Sequence, residues 1–140
     1  MPSAPDPNVI VNETGAQRLL GYVLDVGGSD KHGRCRLDIT QDHLNRHNVL
    51  HGGITSCLLD TAAAATASLS VDDTGRAPFR SVSLSVNYIA PAKPGRVEAT
   101  GQITGGGRTL LFVSGELRDA SGDLIATSSG VYKRVSGGGL

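Results

Sequence analysis

The stretch Gly53-Ile54-Thr55-Ser56-Cys57-Leu58-Leu59-Asp60-Thr61-Ala62-Ala63-Ala64-Ala65-Thr66-Ala67-Ser68-Leu69-Ser70 fixes the architecture. Ile54, Cys57, Leu58, Thr61, Ala62 and Ala65 recur at the spacing of one helical face, which predicts one long helix over these residues. The run Ala62 to Ala65 keeps its C-terminal half slim, so that it can approach a sheet closely. Asp72-Asp73-Thr74-Gly75 ends it.

Outward from this helix the pattern has a different period. Upstream, Tyr22 to Val26 and His32 to Thr40 read as two strands joined at Gly28-Ser29-Asp30-Lys31, with Cys35, Leu37 and Ile39 on one side. Glu13 to Leu20 reads as a short helix capped by Asn12. Downstream, Ser81 to Ile89 alternates, with Val82, Leu84, Val86 and Tyr88 on one face and Ser81, Ser83, Ser85 and Asn87 on the other. Arg96 to Thr104 and Thr109 to Leu117 flank Gly105-Gly106-Gly107, a hairpin signal, and Leu124 to Arg134 forms the last strand. Hairpins without intervening helices give an antiparallel sheet, so the class is α+β with one central helix. Residues 13–135 read as a single domain, 1–12 as a flexible arm containing Pro2, Pro5 and Pro7, and 136–140 as a frayed tail.

At 140 residues and 39% apolar content the chain supports one aliphatic core; aromatics are only 4%. Thirteen acids balance thirteen bases, which argues against nucleic-acid binding through bulk charge. Cys35 and Cys57 have neither metal nor redox spacing. Met1 to Val11 lacks the charged and apolar regions of a signal peptide, and no apolar run approaches the roughly 20 residues of a membrane span, so a cytoplasmic setting without membrane contact is expected.

The densest polar cluster is Asn45-Arg46-His47-Asn48-Val49-Leu50-His51-Gly52-Gly53, followed by Asp60. Gly52 and Gly53 open the long helix, where free N–H groups and a partial positive charge favour an oxyanion; a tight corner is the plainer reading of the same glycines. Asp60 stands alone among apolar neighbours, on a solvated edge or held in a site. Eight residues of helix separate Gly52 from Asp60 by about 12 Å, too far for both to act on one carbonyl. Two antiparallel copies of the helix about a two-fold axis would bring them together. His43, His47 and His51 have helical spacing, but Asn45, Asn48 and the glycine pair favour a loop over a metal face, with a neutral His51 hydrogen-bonded at the helix start. No nucleophile elbow, P-loop or dinucleotide fingerprint occurs.

These residues resemble the motif of the hotdog-fold thioesterases, specifically the PaaI-like acyl-CoA thioesterases. In that motif an Asn is followed after two residues by Gly, after two more by His-Gly-Gly, and seven residues later by Asp. Asn45, His51, Gly52, Gly53 and Asp60 match, as do the strand opening at Ser81, the run Pro91-Ala92-Lys93-Pro94-Gly95 and the step Gly107-Arg108. Asn48 stands where the family has Gly; if that position requires a positive φ, Asn is the next most tolerant residue.

The resemblance implies a hotdog fold, an antiparallel sheet wrapped around the long helix, and hydrolysis of an acyl-CoA thioester. It implies Asp60 as nucleophile or general base, the Gly52 N–H as oxyanion donor, Asn45 orienting the carbonyl or water, and Ser81 holding the water. Asn45 and Gly52 would come from one subunit, Asp60 and Ser81 from the other, in a homodimer or homotetramer. His51 and Gly53 would help bind substrate, with Lys93, Arg108 and Arg76 as candidates for the CoA phosphates. No cofactor or metal is implied, CoA being part of the substrate. A non-catalytic acyl-CoA-binding module and a hotdog hydratase or dehydratase are the rival readings.

Overall fold

The computed structural model describes residues 6–136 of the 140. Seven strands form one sheet in the order β1-β2-β3-β5-β6-β7-β4, every neighbouring pair antiparallel. The elements are β1 (Val9–Ile10), α1 (Gly15–Leu20), β2 (Val23–Asp25), β3 (Arg34–Ile39), a 3₁₀ turn (Gln41–His43), α2 (Gly52–Leu69), β4 (Phe79–Tyr88), β5 (Gly95–Gly106), β6 (Leu110–Asp119) and β7 (Leu124–Arg134). The sheet curls around α2, as the α+β reading anticipates.

Contact with the sheet is close because both sides carry their smallest residues. A Cβ placed on Gly101 of β5 would lie 2.5 Å from Thr66 Oγ1 and 2.9 Å from the Ala62 carbonyl; one on Gly33 would lie 2.8 Å from both the Ala62 carbonyl oxygen and Ala65 Cβ. Thr66 knits the seam, accepting from the Gly33 N–H at 2.9 Å and donating to the Ala62 carbonyl at 2.7 Å.

Because the sheet wraps so far around it, α2 is buried over more than one stripe. Thr55, Leu59, Ala63, Thr66 and Ala67 are buried together with Leu58, Ala62 and Ala65. Ile54, Cys57 and Thr61, expected in the core face, are only half-buried. They border the open side of the helix with Ser56, Asp60 and Ala64. Elsewhere Cys35, Leu37 and Ile39 are buried as the alternation of β3 predicts.

Two further expectations are corrected. Part of the N-terminal arm is structured: Val9 and Ile10 pair with Asp25 and Leu24, and Ile10 is buried. Two residues are too short to display a period. The cap of α1 is Thr14, whose hydroxyl accepts from the Gln17 N–H at 3.1 Å, while Asn12 sits upstream at φ 55°. Residues 1–5 of the arm and 137–140 of the tail lie outside the described residues.

Candidate active site

The loop before α2 is tied down at several points. Asn45 Oδ1 accepts from the His47 N–H at 2.9 Å and the Val49 N–H at 3.3 Å, and the Asn48 N–H donates to the Asn45 carbonyl at 3.0 Å. Asn48 has φ 61°, so the Gly-to-Asn departure falls at a left-handed position that Asn tolerates. The Leu50 N–H donates to the Ala92 carbonyl at 2.8 Å and the His51 N–H to the His43 carbonyl at 2.9 Å. His43 is buried, with Nδ1 accepting from the Thr40 N–H and Nε2 against the Leu20 carbonyl. Both of its nitrogens are thereby engaged in holding this loop.

At the helix start three of the first four N–H groups find acceptors. Gly53 donates to His51 Nδ1 at 2.9 Å, and Ile54 and Thr55 donate to the His51 carbonyl at 3.0 and 3.1 Å. His51 is thus the N-cap, with Nδ1 as the acceptor. Gly53, expected to help bind substrate, has its N–H occupied by this cap. The Gly52 N–H has no acceptor among the described residues and lies at the positive end of the helix dipole. Tyr88 lies against this turn, donating to the Gly52 carbonyl at 2.9 Å and bonded to Ser56 Oγ at 2.8 Å. A Cβ at Gly52 would meet the Tyr88 ring at 3.3 Å. Asn45, Leu50, Gly52, Thr55, Tyr88 and Ile125 line a cleft of about 320 Å³.

Asp60 opens onto a second cleft, of about 340 Å³, with Ser81, Tyr22, Leu24, Ala64 and Arg76. Its Oδ1 accepts from Ser81 Oγ at 2.7 Å and from the Tyr132 hydroxyl at 3.0 Å. Tyr132 is fully buried, and burial, followed by the neighbouring Asp60 charge, pushes its hydroxyl well above the ordinary tyrosine range, so it stays a donor. Uniform alternation places Ser81 on the strand face opposite Leu84, Val86 and Tyr88. The structure corrects this: the β4–β7 register slips between Ser81 and Ser83, leaving Val82 as an extra residue. This bulge reverses the phase, so that Phe79 and Ser81 before it and Leu84, Val86 and Tyr88 after it face the helix together. Cys57 is a free thiol on the open side of α2, raised chiefly by burial.

Among the described residues none lines both clefts. Within one chain, Asn45 and Gly52 sit at one station of α2, and Asp60, Ser81 and Tyr132 sit at another. The predicted phosphate ligands are also dispersed. Arg76 is on the lip of the Asp60 cleft, paired with Glu13 at 2.7 Å. Lys93 is exposed in the β4–β5 loop. Arg108 lies on a different cavity, beside Arg134 and Val71. Sequence reasoning missed Tyr132 and the helix-start role of Tyr88. Tyr132 is 72 residues from Asp60; the only local signal is one large residue among the Ala126, Ser128 and Gly130 positions of its strand face.

The thioesterase superfamily profile matches residues 47–126, more than half of the chain, including Asp60 and Ser81. The chain belongs to this superfamily. Human acyl-coenzyme A thioesterase 13 is 34% identical to this thioesterase over 112 residues, 79% of this chain and 78% of the human protein. The mouse counterpart is 33% identical over 120 residues, covering 84% of each. The PaaI protein of the Escherichia coli phenylacetic acid degradation operon superposes with a TM-score of 0.74 at 19% identity, covering 89% of this chain and 87% of PaaI. A Bacillus halodurans protein solved with CoA superposes at 0.79 with 24% identity, covering 89% and 80%. The protein is a hotdog-fold thioesterase, a thioester hydrolase. No helix among the described residues is long and apolar enough to cross a membrane.

Proposed function

We propose that this thioesterase hydrolyses acyl-CoA thioesters at sites shared by two copies of the chain, Asn45 and Gly52 contributed by one and Asp60, Ser81 and Tyr132 by the other. The observation that carries the reading is the division of one helix between two clefts. A free oxyanion donor lies at one, a held carboxylate at the other, about 12 Å apart along the axis. An antiparallel second helix brings the complementary halves into register twice.

The chemistry follows from the hydrogen bonds on Asp60. Ser81 and Tyr132 both donate to Oδ1, which leaves Oδ2 for the substrate side. Because the Ser81 proton is directed at Asp60, the lone pairs of Ser81 Oγ can accept from water. A water giving one proton to Asp60 Oδ2 and the other to Ser81 Oγ turns its own lone pair toward the thioester carbon. Asp60 acts as general base: the water oxygen bonds to the carbon, its proton passes to Oδ2, and the carbonyl electron pair moves onto oxygen opposite the partner's Gly52 N–H. Collapse expels CoA as a thiolate, a good leaving group because a free thiol ionises at about pH 8.5. Asp60 then returns its proton to sulfur. Asn45 offers its side-chain N–H₂ to the carbonyl, since its oxygen is held in the loop. The reaction as written needs no cofactor.

Release of free thiol from a panel of acyl-CoAs tests the reading. Turnover by the wild type, and a fall of at least about 10²-fold in Asp60→Asn, are expected. Tight acyl-CoA binding without turnover would favour the non-catalytic module. In a single turnover in ¹⁸O-water the label should enter the released acid; label in Asp60 would instead make it the nucleophile.

A further inference from the structure

We propose that the Glu13–Arg76 ion pair is a latch on the lip of the cleft beside Asp60, and that it discriminates against long acyl chains running into that cleft. This rests on the acyl-CoA reading above and adds a determinant of acyl-chain length.

The cleft follows α2 from Asp60 to Ala65, about 7.5 Å along the axis. Ala64 and Ala65 give it a floor with only methyl groups, and Ile10, Leu24 and Phe79 give it apolar walls. An acyl group whose carbonyl lies at Asp60 therefore runs onto Ala64, four residues on and on the same open side of the helix. The cleft has an end. Gly75, at φ 69°, packs against Val26, which clusters with Ala65 and Leu69, so the α2–β4 loop closes over the Ala65 end. From that loop Arg76 reaches across to Glu13, its Nε and one terminal nitrogen bonding the same carboxylate oxygen at 2.9 and 2.7 Å.

Both anchors of the latch are fixed. The Glu13 N–H donates to Gln17 Oε1, Gln17 itself holds the Ile10 and Tyr22 carbonyls, and the Arg76 N–H donates to Thr74 Oγ1. The pair is exposed, 51% for Arg76 and 41% for Glu13. A pair in that setting adds little to stability and is weakened by salt. It can therefore open at small cost when a longer acyl chain presses on it, and such a chain bears that cost in binding.

The test compares kcat/KM for acetyl-, butyryl-, hexanoyl-, decanoyl- and phenylacetyl-CoA in the wild type, Glu13→Gln, Arg76→Gln and Ala64→Leu. Breaking the latch should raise the decanoyl-to-butyryl ratio about two- to five-fold. The same ratio should rise with KCl in the wild type and stay flat in both latch variants, a salt signature that a merely structural role would not give. Ala64→Leu fills part of the cleft and should lower hexanoyl- and phenylacetyl-CoA relative to acetyl-CoA at least about ten-fold. Wild-type turnover with ratios unmoved by all three substitutions and by salt overturns the latch and leaves the proposed function standing. A wild type inert to the whole panel overturns the proposed function, and the latch with it.

Discussion

Mixing two inactive variants tests the division of the site most sharply. The choice of substitutions follows from the hydrogen bonds. Asn45→Ala would remove the acceptor for the His47 and Val49 N–H groups and disturb the loop as well as the site. Asn45→Asp keeps that oxygen and exchanges the N–H₂ donor for a charged carboxylate oxygen that cannot donate. Asp60→Asn keeps an acceptor for Ser81 and Tyr132 while removing the base. Each variant alone should fall to about one hundredth of wild-type activity or less. Co-refolded in equal amounts and paired at random, half of the dimers are mixed. In a mixed dimer one site carries both lesions, and the other combines the intact Asn45 of one chain with the intact Asp60 of the other. Activity should return to about a quarter of wild type, and to about half in mixed dimers selected by a tag on one chain. Thiol release from acyl-CoA is the assay, with each variant's own rate subtracted. Tag-selected mixed dimers that stay at the average of the two single variants would refute the shared site.

Two further outcomes test the packing and the thiols. Gly101→Ala forces a methyl into Thr66 and the Ala62 carbonyl and should cost about 1–3 kcal/mol in urea unfolding without changing the unfolding m-value; a neutral substitution would show that helix and sheet are not in tight contact. Burial raises both cysteine thiols above their ordinary value, which lowers the thiolate fraction at neutral pH. Iodoacetamide should therefore modify half-buried Cys57 more slowly than a free thiol and leave buried Cys35 unlabelled until the protein unfolds; rapid labelling of Cys35 in the native state would contradict its placement.

The central helix and the major strands are legible in the sequence because they are long enough to display a period. Slimness at Ala62 to Ala65 carries through to the close seam with Gly33 and Gly101. The Asn45, Gly52 and Asp60 spacing is equally readable, as is the distance that separates a helix start from its middle. The strand phase at Ser81 is not. Alternation is a counting argument, and one inserted residue at Val82 reverses it without altering composition. The role of Tyr132 is invisible for another reason: it depends on β7 lying beside β4, a sheet order that no local pattern encodes. The Gly52 donor is readable only in part. Which N–H remains free depends on His51 turning its ring back onto Gly53, a rotamer choice.

The seam between α2 and the sheet also bears on how variants of the site can be interpreted. Ala62, Ala65 and Thr66 face Gly33 and Gly101 there, so the sheet side cannot shrink further and neither side can grow without displacing the other. The depth of Asp60 against the strands is thus set by contact between backbones and does not depend on the hydroxyls that bond it. Removing the Ser81 or Tyr132 hydroxyl should leave the carboxylate where it is. The seam acts as a fixed datum, and a rate change in such a variant reports the lost proton donor itself, uncontaminated by a helix that has slid.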